Sequence, residues 1–286
     1  MNKPLKVAVA CTAALLLLSG CASTTPPTAK TAGAVSTTDA RSTPAPVDVL
    51  PACMFPAVDA DSLPLLDTSR RLRTQAAPED VKVTAKVKLI SDSTVYDQQL
   101  NPIGVVPIAM PWEPSIPLVL PALDVPVPCA GATPVLLPAG TDAGSSAIGF
   151  VATTATTPAA GAARTLTIDT GAQTLTVTDD GTGAILLQTS VVTGGAGSPT
   201  PLGATAIVAK YTDCEAQPMT CPDGTPIPVI LTGMLVQASV ALADGQVGLH
   251  HGPASDAGSA GCVRLTAQAA AALATLVQPG DLVRVI

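Results

Sequence analysis

Between residues 102 and 138 proline recurs so often that no helix of useful length can form there. Each proline removes a backbone N–H and clashes with the carbonyl four residues earlier, and in a sheet it leaves only short or edge strands. The stretch before it alternates. Val81, Val83, Ala85, Val87 and Leu89 fall on one side, and Lys82, Thr84, Lys86 and Lys88 on the other, the period of a half-buried strand. Thr94, Val95 and Tyr96 form a second short strand, and residues 100–104 turn the chain. One Trp, two Tyr and two Phe leave the cores to aliphatic side chains and give no stacking platforms for bases or sugars.

The N-terminus has a different grammar. Lys3 and Lys6 precede a short apolar run that stops at Leu18-Ser19-Gly20-Cys21, the layout of a signal peptide over residues 1–20. The last four residues resemble the lipobox of bacterial lipoproteins. That resemblance implies cleavage before Cys21, a lipid on its sulfur, and a protein held in the extracytoplasmic cell envelope by its membrane anchor. Cleavage would move the formal charge from −7 to about −9. An acidic surface argues against nucleic acid as a partner. Residues 21–48, rich in Ala, Thr, Ser and Pro, read as a lipidated N-terminus and flexible linker.

Of the seven cysteines, Cys11 leaves with the signal and Cys21 carries the lipid. Five remain, and in an oxidising compartment an odd count leaves one thiol over. Cys214 and Cys221 flank a short Pro-containing loop and are placed for a local bridge, while Cys53 and Cys129 are placed to staple a small β domain over residues 49–151. Cys262 is then the remaining thiol. Spacing does not fit a zinc knuckle, so neither a metal nor another cofactor is expected.

Residues 152–163 read as a second linker. A new β pattern follows over residues 164–286. Leu166 and Ile168, a turn at Gly171, then Leu175 and Val177 make a hairpin, and strands are expected over residues 184–192 and 204–210. Further apolar stretches surround Ile230 and residues 234–240. Thr266 caps an Ala-rich helix reaching about Val277, Pro279-Gly280 stops it, and residues 282–286 form a last strand.

The chemistry concentrates in residues 248–265, Gly-Leu-His-His-Gly-Pro-Ala-Ser-Asp-Ala-Gly-Ser-Ala-Gly-Cys-Val-Arg-Leu. A thiol nucleophile needs a base, a backbone open to substrate, and donors for an oxyanion. His250 and His251, the only histidines of the chain, lie just upstream of Cys262, and Gly258 and Gly261 let the intervening loop fold back. The N–H groups of Cys262 and Gly261 are the candidate oxyanion donors. An imidazolium neighbour would lower the thiol pKa.

This stretch resembles the signature of YkuD-type L,D-transpeptidases, a His-Gly followed by Ser/Thr-His-Gly-Cys-Ile/Val-Arg. Upstream, Thr193-Gly194 with Ser198-Pro199-Thr200-Pro201-Leu202-Gly203 resembles the Thr-Gly and Thr-Pro loop of the same family. The resemblance covers residues 164–286. It implies a mainly β protein: a YkuD-like β-sandwich catalytic domain with one short C-terminal helix. The preceding small β domain resembles either an SH3-like module or a Pro-rich spacer. It further implies Cys262 as nucleophile, His251 as general base, Ser259 and Gly261 shaping the loop, and Arg264 orienting it or binding a substrate carboxylate. The implied partners are peptidoglycan stem peptides, met by a monomer.

Two departures qualify the resemblance. Ala260 stands where the family usually has His, and the loop from His251 to Ser259 is short, which leaves His250 as an alternative base. Only one of two adjacent strand residues can face the thiol. A degenerate domain that binds or spaces the cell wall without catalysis is the alternative reading that Ala260 permits.

Overall fold

Strands dominate the computed structural model, which describes residues 50–142, 144–212, 229–235, 246–252 and 261–286. The first part of the chain supplies β1 (Arg71–Leu72), β2 (Val83–Leu89), β3 (Ser93–Tyr96), β4 (Pro102–Val106), β5 (Ala109–Met110), β6 (Glu113–Pro117), β7 (Val119–Leu123), β8 (Ala132–Thr141), β9 (Ser146–Ala152) and β10 (Thr156–Pro158). The second part supplies β11 (Arg164–Asp169), β12 (Thr174–Asp179), β13 (Ile185–Ser190), β14 (Gly203–Tyr211), β15 (Val229–Leu235), β16 (Gln246–His251), β17 (Val263–Leu265), the helix α1 (Ala267–Leu276) and β18 (Leu282–Val285). The described residues are thus mainly β, with one α-helix among them, near the C-terminus. Thr266 caps that helix as expected, its Oγ1 accepting the Ala269 N–H at 3.2 Å.

The N-terminal sheet runs in the order β10, β2, β7, β8, β9, β3, β4, with β1 added parallel to β8. A disulfide joins Cys53 to Cys129 across a sequence separation of 76. In the chain-entropy view, closing a loop of that size is worth about 4 kcal/mol. The C-terminal sheet runs β13, β12, β11, β18, β14, β15, β16, β17.

Three expectations change. Proline does not confine the strands to short or edge ones: β8 is 10 residues long, holds Pro134 and Pro138, and lies inside the sheet. The missing N–H groups are tolerated because β7 meets β8 through one register pair, Ala122 with Val135, and because the β8–β9 register shifts between Leu136 and Gly140, around Pro138. The clean alternation over residues 81–89 also breaks. A bulge between Val83 and Ala85 shifts the register against β7, leaving Ala85 exposed and Lys86 buried. The expected linker over residues 152–163 contains β10, which pairs with β2 through Thr156 and Leu89, Thr157 and Lys88, and Pro158 and Val87.

The C-terminal sheet is covered on both faces. On one, Leu166, Ile168, Val177, Leu249, Val263 and Val283 pack with Leu273 and Val277 of the helix region. On the other, Val208, Ala209, Val229 and Leu231 join the aliphatic core of the N-terminal sheet, and Ala204, Ala206 and Leu282 meet Leu136, Ile148 and Phe150. Residues 49–286 accordingly cluster as one unit. Within it Lys86 Nζ lies 3.0 Å from Asp281 Oδ1, the two side chains being 1% and 0% exposed. Asp281 Oδ2 also accepts the Gln278 N–H at 2.7 Å.

Removing one partner of such a pair leaves a buried charge uncompensated. Lys86→Met should lower unfolding free energy by about 3–5 kcal/mol in urea titrations, and adding Asp281→Leu should recover most of that loss. A single variant as stable as the wild type would show that the pair contributes little.

Candidate active site

The residues singled out by the sequence lie mostly on β16 and β17, which run parallel with Leu249 opposite Val263, His250 opposite Arg264 and His251 opposite Leu265. Val247, Leu249, Val263 and Leu265 enter the helix-side core. Alternation therefore assigns Gly248, His250, Cys262 and Arg264 to the opposite face. The Gly248 N–H donates to Cys262 Sγ at 3.5 Å, which seats the thiol against the β16 backbone.

The same alternation separates the two histidines. His250 is half-buried on the face of Cys262, whereas His251 is exposed at the strand end. The pattern pointed first to His251; the register favours His250. His250 Nδ1 lies 2.7 Å from the His251 carbonyl oxygen. A carbonyl only accepts, so Nδ1 carries the proton and Nε2 of the neutral ring is the basic nitrogen.

Burial pushes the Cys262 thiol pKa up, against the opposing pull of the Gly248 N–H and the Arg264 charge. Burial likewise pushes the His250 imidazole down, opposed by its bond to the His251 carbonyl and reinforced by the positive charge of Arg264. Burial therefore works against the expected thiolate and imidazolium, disfavouring both charged forms. Desolvation of both charged forms outweighs their neighbours. Arg264 bears on both groups. Its aliphatic stem lies across Gly252, where a Cβ would fall 2.6 Å from Arg264 Cδ.

The upstream loop reaches Gly261, the residue before Cys262, through one hydroxyl. Thr200 Oγ1 accepts the Gly194 N–H at 2.8 Å and donates to the Gly261 carbonyl at 2.9 Å. Thr200 is 3% exposed, so both bonds are sheltered from water. Gly194 fits because it has no side chain: a Cβ there would lie 2.2 Å from the Ser198 carbonyl oxygen. Gly261 sits at φ 105°, a left-handed conformation that suits glycine. Val192 and Arg264 exchange backbone hydrogen bonds at 2.9 and 2.8 Å, so the same loop also edges β17. The sequence marked this loop as a motif but gave Thr200 no task.

Gln173 was missed altogether, although its side chain holds Thr193 on the other flank of that loop. Ser259, Ala260, Cys21, Cys214 and Cys221 lie outside the described residues. Two cavities of about 340 and 370 Å³ open elsewhere, one beside Lys82 and Arg284 and the other beside Arg73 and Asp97.

Residues 163–285 match the family model of the YkuD L,D-transpeptidase catalytic domain. Among solved structures, the chain is 27% identical to an L,D-transpeptidase from Stackebrandtia nassauensis, with 44% of this chain and 57% of that one covered and a TM-score of 0.32. An Enterococcus faecium L,D-transpeptidase is 24% identical over 43% of this chain and 50% of its own, with a TM-score of 0.32. For L,D-transpeptidase 1 of Mycobacterium tuberculosis the identity is 22%, the coverage 49% and 70%, and the TM-score 0.32. The chain spans about half the length of the first two, 57% and 50%. No curated protein matches it. The family match therefore likens residues 163–285, the part that carries Cys262 and both histidines, to the catalytic domain of L,D-transpeptidases.

Proposed function

We propose that the protein is a peptidoglycan L,D-transpeptidase in which Cys262 is the nucleophile and His250 the general base. The supporting observation is that alternation puts Cys262 on the sheet face of His250 and Arg264, while the Thr193–Thr200 loop is tied to the adjacent Gly261 carbonyl. Nε2 of His250 takes the thiol proton as Sγ attacks the carbonyl between the third residue and the terminal D-Ala of a tetrapeptide stem. The carbonyl π electrons move onto oxygen, where the N–H groups of Cys262 and Gly261 stabilise the charge. Collapse expels the D-Ala nitrogen, which takes the proton back from the imidazolium, and a thioester remains. An amine of a second stem attacks the thioester, forms the amide cross-link and returns the thiol; water in its place gives an L,D-carboxypeptidase. Arg264 holds the loop or a substrate carboxylate. Cys21 carries the lipid that keeps the monomer at a membrane of the cell envelope.

Incubation with a defined tetrapeptide stem should release D-Ala and leave an acyl adduct on the Cys262 peptide in mass spectra. Cys262→Ala should abolish both. His250→Gln should slow acylation by about 10²–10⁴-fold, whereas His251→Gln should stay within about a factor of three. Equal losses in the two histidine variants would assign the base differently. No adduct with stem or carbapenem from the wild type would favour the cell-wall spacer that Ala260 permits.

The burial of thiol and imidazole has a pH signature. Alkylation of Cys262 by iodoacetamide, followed by peptide mass spectrometry, should rise through an inflection above the ordinary thiol range, because burial raises that pKa. The acid limb of acylation should fall below the usual imidazole value, since His250 must lose its proton to act and burial makes that easier. An alkylation inflection below neutrality would instead reveal a preformed thiolate–imidazolium pair.

A further inference from the structure

Gln173 stands outside the sequence motifs, yet it is one of two described non-glycine residues with a positive φ, at 54°. The turn that places it there is built by Asp169, whose Oδ1 accepts the Gly171 and Ala172 N–H groups at 2.9 and 2.7 Å. From this position both ends of the Gln173 amide are used. Nε2 donates to the Thr170 carbonyl and to Thr193 Oγ1, each at 2.6 Å, and Oε1 accepts the Thr193 N–H at 2.9 Å. The orientation of the amide is forced, since a carbonyl can only accept and an N–H can only donate. The Gln173 backbone carbonyl also accepts the Val191 N–H at 2.9 Å.

Residues 191–194 are therefore held from two sides. Gln173 takes Val191 and Thr193; Arg264 takes Val192, and Thr200 links Gly194 to the Gly261 carbonyl. Thr193 is 4% exposed, so water cannot easily replace a lost bond. The plane of the peptide joining Gly261 to Cys262 is constrained by the hydrogen bond its carbonyl accepts from Thr200 Oγ1, and the N–H of Cys262 lies in that plane.

We propose that Gln173 is a positioning residue for acyl transfer: by fixing Thr193 and Gly194 it aims, through Thr200, the Cys262 N–H at the developing oxyanion. The assignment rests on the transpeptidase reading above. It predicts damage to steps that pass through an oxyanion and none to simple attack by the thiol.

Two reactions of Cys262 separate those cases. Acylation by a carbapenem passes through a tetrahedral oxyanion, while alkylation by iodoacetamide displaces iodide and forms none. Gln173→Asn keeps a residue suited to the left-handed conformation but shortens its reach. Gln173→Glu keeps the length and the acceptor but loses both donors when ionised. Each variant should acylate on the order of 10–100-fold more slowly than wild type, while alkylation of Cys262 stays within about a factor of two and the thermal midpoint shows folded protein. For Gln173→Glu, acylation relative to wild type should recover as pH falls and the carboxyl regains its proton. Wild-type acylation rates in both variants would overturn the proposal, as would equal losses in acylation and alkylation. A wild-type protein that alkylates but never acylates would overturn the transpeptidase reading itself, and this assignment with it.

Discussion

A sheet that is apolar on both faces has to be covered twice, and that requirement governs the arrangement of the C-terminal part of the chain. The helix after β17 covers one side, packing Leu273 and Val277 onto Leu249, Val263 and Val283. No second helix is described for the other side. Instead Val208, Val229 and Leu231 of the C-terminal sheet complete the aliphatic core of the N-terminal sheet. The preceding β region is thus a structural half of the unit. A change in its packing reaches the catalytic sheet directly through β14 and β15. The buried pairing of Lys86 with Asp281 adds a directional contact to this otherwise non-directional interface.

Cys262 and His250 lie on the sheet face that the N-terminal half covers only in part. Their face assignment follows from Leu249 and Val263 pointing into the helix-side core, so the hydrophobic pattern of two short strands puts His250, not His251, on the face of Cys262. Desolvation there pushes the thiol pKa up and the imidazole pKa down.

Much of this could be read in the residues. Thr266 and Pro279-Gly280 bracket the helix, the hairpin of β11 and β12 follows its alternation, and the Thr-Gly and Gly-Cys-Val-Arg motifs marked both sides of the site. What escaped depended on tertiary context. Proline in β8 reads as a breaker unless one knows that the ladder beside it is sparse. Lys86 reads as a solvent-facing residue unless the bulge before Ala85 and its distant partner are known. The motif, read as a string, does not say which side of the strand His250 and His251 take; the register of β16 against β17 does. Gln173 carries no pattern at all; its role exists only because a turn and a loop separated by 20 residues meet.

The staple between Cys53 and Cys129 has a mechanical consequence. Close to it the chain enters the fold, with the Cys53 N–H donating to the Ala130 carbonyl and the Ala130 N–H to the Pro51 carbonyl, at 2.9 and 2.8 Å. A pull applied at Leu50 is borne by these two hydrogen bonds and, behind them, by a covalent bond anchored between β7 and β8, so the load enters the N-terminal sheet far along the chain from Gly261 and Cys262.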